Sequence, residues 1–213
     1  MPRITAATVA DHRAKQHAAL LDAARDILAT EGAPALTPAA VGARIGLARS
    51  SVYRYFASTA DILAQLTEDA FPRWADRLRT AIAPVPTPTP ATAPAGSPHE
   101  AGSLRDRVRA YGRAALDFVG SPDYAVVPAV QAIGLSPECR NRVEELHGEL
   151  VAPLAEALDE AGYDHCDLRA DLAWGVLRAG ARRLMPERPR GRAPMTDTEI
   201  IEITLDALDR VLR

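Results

Sequence analysis

A single glycine between two short helical patterns constrains the fold of this chain more than any other feature. From Pro38 to Ile45 apolar residues recur at helical spacing, with Thr37 placed as N-cap and a proline at the first helical position. Gly46 then permits the left-handed backbone that ends a helix sharply. A second helical pattern follows at once and places Val52, Tyr55 and Phe56 on one face. The segment is therefore predicted to be a helix-turn-helix.

The outward face of the second helix carries the candidate DNA-binding residues. The second helix of such a unit can lie in the major groove of DNA. Arg49 lies near its start and is predicted to reach a base edge, whereas Arg54 lies further back and is predicted to meet phosphate. Ser50 and Ser51 can contact either. A solvated surface role is the alternative for each of these residues.

The same residues resemble the DNA-binding domain of the TetR family of bacterial transcriptional regulators. That family's pattern has a first helix ending in Glu-x-Gly, a threonine cap, a glycine turn and a Tyr-x-Tyr-Phe close. The resemblance spans roughly Lys15 to Leu66. The matching residues are Leu20, Leu21, Ala23, Ala24, Ile27, Leu28, Glu31, Gly32, Thr37, Val41, Gly46, Leu47, Tyr53, Tyr55 and Phe56.

The resemblance implies a transcriptional regulator that binds double-stranded DNA. It implies a dimeric repressor on a pseudo-palindromic operator, released by a small-molecule effector not yet identified. It also implies that Tyr53 bonds a phosphate and that Thr37 does so at a helix N-terminus, helped by the helix dipole. The complete predicted DNA-binding set is Thr37, Arg49, Ser50, Ser51, Tyr53, Arg54 and Tyr55.

Two positions depart from the family pattern. Ala48 stands where the family usually has a serine or threonine cap, and Thr59 stands where it usually has a lysine. These departures predict a weaker hold on phosphate and a cap hydrogen bond that is either missing or supplied by a neighbouring residue. Ser58 and Asp61 are still predicted to cap the next helix.

The charge distribution favours contact with DNA at one end. The formal net charge is −3. Up to Phe56, seven Lys or Arg residues oppose four Asp or Glu residues, so the acidic excess lies in the remainder. No run is long and apolar enough for a membrane span, and the N-terminus lacks the apolar stretch of a signal peptide. We expect a cytoplasmic protein without membrane contact.

The whole chain reads as all-α. We predict an N-terminal three-helix helix-turn-helix DNA-binding domain over 1–57, with a basic arm at 1–14. A helical-bundle ligand-binding and dimerisation domain follows over 58–213, with a proline-rich flexible insert at 84–103. Helical patterns are predicted at 58–82, 104–119, 125–133, 137–161, 168–184 and 197–212.

The last two long helices are predicted to form a homodimer interface. The final one is apolar over much of its circumference, with Ile200, Ile201, Ile203, Leu205, Leu208, Val211 and Leu212. Such a helix needs packing partners on two sides, and similar proteins pair these helices with the same helices of a second subunit. Burial within one subunit is the alternative.

A ligand pocket is predicted among bulky and polar residues of the helical domain. Its candidates are Trp74, Tyr111, Phe118, Tyr124, His147, Trp174 and Arg178. Ordinary core packing is the alternative for the aromatic residues. A basic loop precedes the last helix and is either solvated or forms an anion site or an extra DNA contact; its residues are Arg182, Arg183, Arg188, Arg190 and Arg192.

An enzymatic function finds no support in the sequence. Catalysis needs a nucleophile, a paired acid and base or a metal cluster, and none occurs at usable spacing. We therefore expect no catalytic residue, no metal site and no cofactor. The rival to DNA binding is a helical adaptor of the same fold that acts through protein contacts without ligand control.

Overall fold

The protein is all-α throughout the part that the structure describes. The structure, a computed structural model, describes residues 6–84, 103–133, 135–185 and 195–212, with side chains from residue 9. No strand occurs in these ranges, so the predicted fold class is confirmed. Nor is any helix within them both long and apolar enough to cross a membrane.

Nine α-helices occupy the described ranges, joined in places by short 3₁₀ turns at Ala33–Ala35, Phe118–Gly120 and Pro122–Ala125. They are α1 (Ala6–Thr30), α2 (Pro38–Arg44), α3 (Arg49–Val52), α4 (Thr59–Ile82), α5 (Leu104–Asp117), α6 (Val126–Ala132), α7 (Pro137–Glu160), α8 (Cys166–Leu184) and α9 (Asp197–Val211). Each predicted helical pattern corresponds to one of these, within a few residues at its ends.

Two compact units divide the chain differently from the predicted boundary at residue 57. The head unit consists of Met1–Phe71 with Gly120–Leu146, and the body unit consists of Pro72–Val119 with His147–Arg213. Helices α4 and α7 each contribute to both units. The sequence did not reveal this division because a long helix shows no break where its buried neighbours change.

The head unit is built around the buried stripe of α1. Leu20, Ala24 and Ile27 are almost fully buried and lie at the spacing that puts them on one helix face. Val52 and Phe56 are equally buried and close this core from the side of the helix-turn-helix. The core thus fixes α3 relative to α1.

An arginine of α1 adds polar cross-links within the head unit. Arg25 forms ion pairs with Asp22 on its own helix, with Asp69 of α4 and with Asp123 in the 3₁₀ turn before α6. The Arg25 Nε to Asp123 Oδ1 distance is 3.3 Å. Since the arginine is half-buried, these pairs tie three segments of the unit together.

The body unit packs α5, α8 and α9 closely together. Gly180 of α8 lies directly against Thr204 of α9, and Gly112 of α5 lies against Leu205 and Leu208. A row of arginines on α5 pairs with carboxylates of α9, including Arg109 with the buried Asp209 at 3.0 Å. These contacts hold α9 against the rest of the unit.

One sequence prediction needs correction and two fall outside the described residues. Residues 6–14, predicted as part of a basic arm, belong to α1. Their alanine-rich sequence continues the helical period of the residues that follow, so the helix begins earlier than its buried stripe. The insert residues 85–102 and the loop residues Arg188, Arg190 and Arg192 lie outside the described ranges.

Candidate nucleic-acid interface

Helix α2 begins with the predicted cap. The Thr37 side chain accepts a hydrogen bond from the Ala40 N–H at 3.1 Å, and Pro38 occupies the first helical position. Thr37 is itself exposed. Its hydroxyl therefore stays accessible at the N-terminus of α2, where the helix dipole favours an anion.

The turn after α2 satisfies the last carbonyl groups of the helix. Gly46 adopts a φ of 69°, in the left-handed region that favours glycine. The Leu47 N–H donates to the Gly42 carbonyl at 2.8 Å, and the Gly46 N–H donates to the Ala43 carbonyl at 3.3 Å. This pair of bonds is a Schellman motif. The predicted glycine stop is confirmed.

Helix α3 is short and continues as a turn, so residues 49–56 are called the recognition segment below. The Tyr55 and Phe56 N–H groups both donate to the Val52 carbonyl, at 2.8 and 3.0 Å. Val52 and Phe56 are fully buried, as predicted. Ala48 precedes the helix and supplies no side-chain cap, which confirms the missing hydrogen bond.

The outer face of the recognition segment carries polar and cationic groups. Arg49, Ser50, Tyr53 and Arg54 are exposed, and Ser51 is half-buried. The Arg49 guanidinium lies 5.5 Å from the centre of the Tyr53 ring, and its Nη2 donates to the Tyr53 hydroxyl at 3.3 Å. Arg49, the residue predicted to contact a base edge, is therefore held over the Tyr53 ring.

Tyr55 does not share the exposed face of Arg49, Ser50 and Tyr53. It is half-buried, its hydroxyl donates to Gln16 Oε1 at 2.9 Å, and its ring stacks on that of His17. Gln65 Nε2 donates to the Tyr55 carbonyl at 3.2 Å, and Gln65 Oε1 lies 2.6 Å from His17 Nε2. Tyr55 thus anchors the recognition segment to α1 and α4.

Sequence reasoning missed these supporting residues. Gln16 and His17 lie about 39 residues from Tyr55 along the chain, and their side chains fit a solvated helix face equally well. Gly42 was missed too, although it lies where α2 crosses α3 and a Cβ there would overlap Val52. A glycine inside a helical pattern was the available signal for that close approach.

The start of α4 presents no cation. The Thr59 hydroxyl, at the position of the expected lysine, donates to the Leu36 carbonyl at 3.1 Å. Ser58 Oγ accepts from the Asp61 N–H at 3.1 Å, and the Asp61 carboxylate accepts from the Ala57 N–H at 2.9 Å. The predicted cap is therefore confirmed, with the carboxylate one residue out of register.

Five of the seven predicted pocket residues meet in the body unit, and we call them the aromatic cluster: Trp74, Tyr111, Phe118, His147 and Trp174. The Trp74 and Phe118 rings stack with centroids 4.1 Å apart. Trp174 Nε1 donates to His147 Nε2 at 2.9 Å. All but the half-buried His147 are buried, so the cluster is tightly packed as it stands.

The two remaining pocket candidates do not share the burial and ring contacts described for this cluster within the body unit. Arg178 is exposed on α8, and Tyr124 belongs to the head unit. Within the cluster, the Tyr111 hydroxyl donates to the Leu150 carbonyl at 2.7 Å. Burial raises the pKa of Tyr111 far above its ordinary value, so the phenol stays neutral and serves packing.

Comparison with known proteins agrees with this geometry. The family model of the bacterial regulatory proteins of the tetR family matches residues 20–66, which contain the helix-turn-helix and its supporting core. Residues 20–66 of this chain therefore carry a DNA-binding domain of the tetR type. A search of curated protein sequences finds no match.

Solved structures share the fold of this chain over nearly its whole length. The fatty acid degradation regulator FadR from Bacillus halodurans is 17% identical with a TM-score of 0.64, covering 91% of this chain and 94% of that one. The TetR-family regulator PfmR from Thermus thermophilus is 18% identical with a TM-score of 0.60 and the same coverage. FadR from Bacillus subtilis, solved with stearoyl-CoA, is 16% identical with a TM-score of 0.62, covering 92% and 97%.

Proposed function

We propose that this chain is a sequence-specific DNA-binding repressor of the TetR family, active as a homodimer in the cytoplasm and released from its operator by a small molecule. The observation that carries the proposal is the recognition segment itself. Its inner residues are buried in the head core, while Arg49, Ser50, Tyr53 and Arg54 remain exposed on a single face. Such a face fits the major groove.

The charges of the head unit support a DNA contact at this face. Arg44 is held by Asp26 and Glu31 and is thereby neutralised. Arg49 and Arg54 form no ion pair with any described residue, and both are exposed. The uncompensated positive charge is therefore found where phosphate and guanine would lie. We assign Arg49 to a base edge and Arg54 to phosphate.

Exposed apolar residues on the last two helices support the homodimer. Leu168 and Leu172 of α8 are 60% and 55% exposed, and Ile203 of α9 is 58% exposed. The small residues Gly175 and Ala179 continue the same stripe of α8 at helical spacing. A two-fold pairing of α8 and α9 would bury these groups, and it would present two recognition segments to a pseudo-palindromic operator.

The aromatic cluster is the candidate effector site in this proposal. An effector acts only through a difference in its affinity for two states of the protein. The stearoyl-CoA complex of the Bacillus subtilis FadR shows that a protein of this fold takes a small molecule. In this chain an occupant of the body unit would have to part the rings of Trp74 and Phe118.

Both tryptophans of the chain, Trp74 and Trp174, lie in the cluster, so their emission reports on it. Titration with acyl-CoA esters and other small molecules should shift the tryptophan emission for the ligand that also releases operator DNA. A ligand that releases the DNA and leaves the emission unchanged would place the effector site outside the cluster.

A salt-titrated gel shift with the DNA upstream of the chain's own gene tests DNA binding. We expect sequence-selective binding that weakens as salt rises. Arg49→Ala should change the preferred sequence, because it removes a base contact. Absence of selective, salt-dependent binding would favour the adaptor that acts through protein contacts. We propose no catalytic role for the chain.

A further inference from the structure

A basic groove lies beside the recognition segment, between α1 and the turn that follows α3. It is an open groove of about 410 Å³, lined by Ala10, Arg13, Ala14, His17, Arg54 and Tyr55. Two guanidinium groups face it from two different elements of the head unit. Among the described residues that line it, none is acidic.

Arg13 is positioned by an aromatic ring rather than by a carboxylate. Its guanidinium carbon lies 5.9 Å from the centre of the Tyr55 ring. That ring is fixed in turn by the hydrogen bond from its hydroxyl to Gln16 and by stacking on His17. A cation–π contact of this kind does not use the guanidinium N–H groups as hydrogen-bond donors to a carboxylate, so they stay available to an acceptor.

The other arginines of α1 and α2 differ in this respect. Arg25 is bound by Asp22, Asp69 and Asp123, and Arg44 is bound to two further carboxylates. Arg13 forms no ion pair with any residue that the structure describes. A guanidinium kept in place without a counter-charge is poised to bind an external anion.

The beginning of α4 supplies no competing anion site. The Thr59 hydroxyl is occupied by the Leu36 carbonyl, and the next residue is Ala60. A phosphate that runs past the recognition segment therefore meets no cation there, whereas it meets Arg13 and Arg54 at the groove.

We propose that this groove binds a phosphodiester of the DNA backbone, with Arg13 as the phosphate ligand contributed by α1. The inference rests on the proposed DNA binding and extends it to a second element of the head. Arg54 reaches the same phosphate from the recognition segment. The groove carries no sequence information, since a phosphate looks the same at every base pair.

The test compares Arg13→Gln with the full-length wild type by fluorescence anisotropy, on operator DNA and on an unrelated duplex, over a range of salt. Each lost phosphate contact lowers the slope of log K against log salt by about 0.9. We expect that decrease for each subunit bound, hence about 1.8 for a dimer. Affinity should fall by the same factor on both DNAs.

Two matched variants complete the design. Arg77→Gln removes an arginine of α4 that is likewise exposed but lies in the body unit, and it should leave the slope unchanged. Arg13→Lys keeps the charge and should retain the slope while losing part of the affinity, because lysine lacks the planar fork that binds phosphate in two places.

Three results would overturn the inference. If wild type binds DNA and Arg13→Gln retains its slope and affinity, the groove binds no phosphate and the proposed function stands. If Arg13→Gln weakens binding to the operator alone, Arg13 contacts a base instead. If wild type shows no salt-dependent binding to either DNA, the proposed function and this inference both fail.

Discussion

The close approach of α2 and α3 at Gly42 allows a quantitative prediction for Gly42→Ala. A Cβ at this position would overlap Val52 Cγ2 and would lie 3.0 Å from the Leu47 carbonyl oxygen. Val52 is fully buried in the core of the helix-turn-helix, and the Leu47 oxygen belongs to the backbone of the turn, so neither neighbour moves aside easily. Overpacking of this kind costs roughly 1–3 kcal/mol. The overlap should also push α3 away from α2.

Gly148→Ala provides the matched control. Gly148 lies within α7, and a Cβ there would meet no heavy atom within 4 Å. This variant should gain about 0.5–1 kcal/mol from the better helix propensity of alanine. Because both substitutions place alanine in a helix, the difference between their unfolding free energies isolates the steric term, which we expect at roughly 1–3 kcal/mol.

Urea unfolding followed by circular dichroism measures these free energies, and the operator affinity of each variant reports on the position of α3. We expect Gly42→Ala to lose both stability and operator affinity, and Gly148→Ala to lose neither. Adding Val52→Ala to Gly42→Ala should cause less loss than the sum of the two single variants, because it removes the overlapping methyl group. If Gly42→Ala is as stable as Gly148→Ala and binds DNA as tightly as the wild type, the packing argument is wrong.

Three further predictions concern other parts of the chain. Leu172→Glu places a charge in the exposed apolar stripe of α8 and should convert a wild-type dimer into a monomer in sedimentation velocity; a wild-type monomer would contradict the proposed interface. Thr196→Ala breaks the capping box of α9 and should lower the unfolding free energy by about 1 kcal/mol in urea titrations. An unchanged urea midpoint of unfolding would contradict a stabilising role for this cap. The Thr196 backbone N–H lowers the pKa of Glu199, so this contribution to stability is present at neutral pH and is lost as the pH falls through and below the ordinary range of a glutamate carboxyl group. Glu199→Gln should therefore differ less from wild type at pH 3 than at pH 7, and an equal difference at both pH values would be inconsistent with the cap.

Local sequence rules predicted the helix-turn-helix closely. The cap at Thr37, the left-handed Gly46 and the buried Val52 and Phe56 each depend on a few neighbouring residues, so spacing alone identifies them. The absence of a cap at Ala48 followed from the same rules. The helices of the body were equally predictable because their apolar periods are long.

Contacts between distant residues were not predictable in this way. Two sets of contacts join segments that are far apart in sequence: Gln16 and His17 anchor Tyr55, and Arg25 pairs with Asp123. The sequence around a polar helix residue does not show which distant residue it will contact. Arg13 was not predicted as a phosphate ligand for the same reason, because its proposed role depends on its position over the Tyr55 ring.

The central claim is that the full-length chain reads DNA as a symmetric pair of recognition segments. Selection of binding sequences from a random DNA pool, followed by salt titration of the best one, tests it most directly. We predict a pseudo-palindrome whose half-sites are centred about one helical turn, roughly 10 base pairs, or a multiple of it apart, with affinity that falls steeply as salt rises. Recovery of no enriched sequence, or of one bound independently of salt, would contradict the claim.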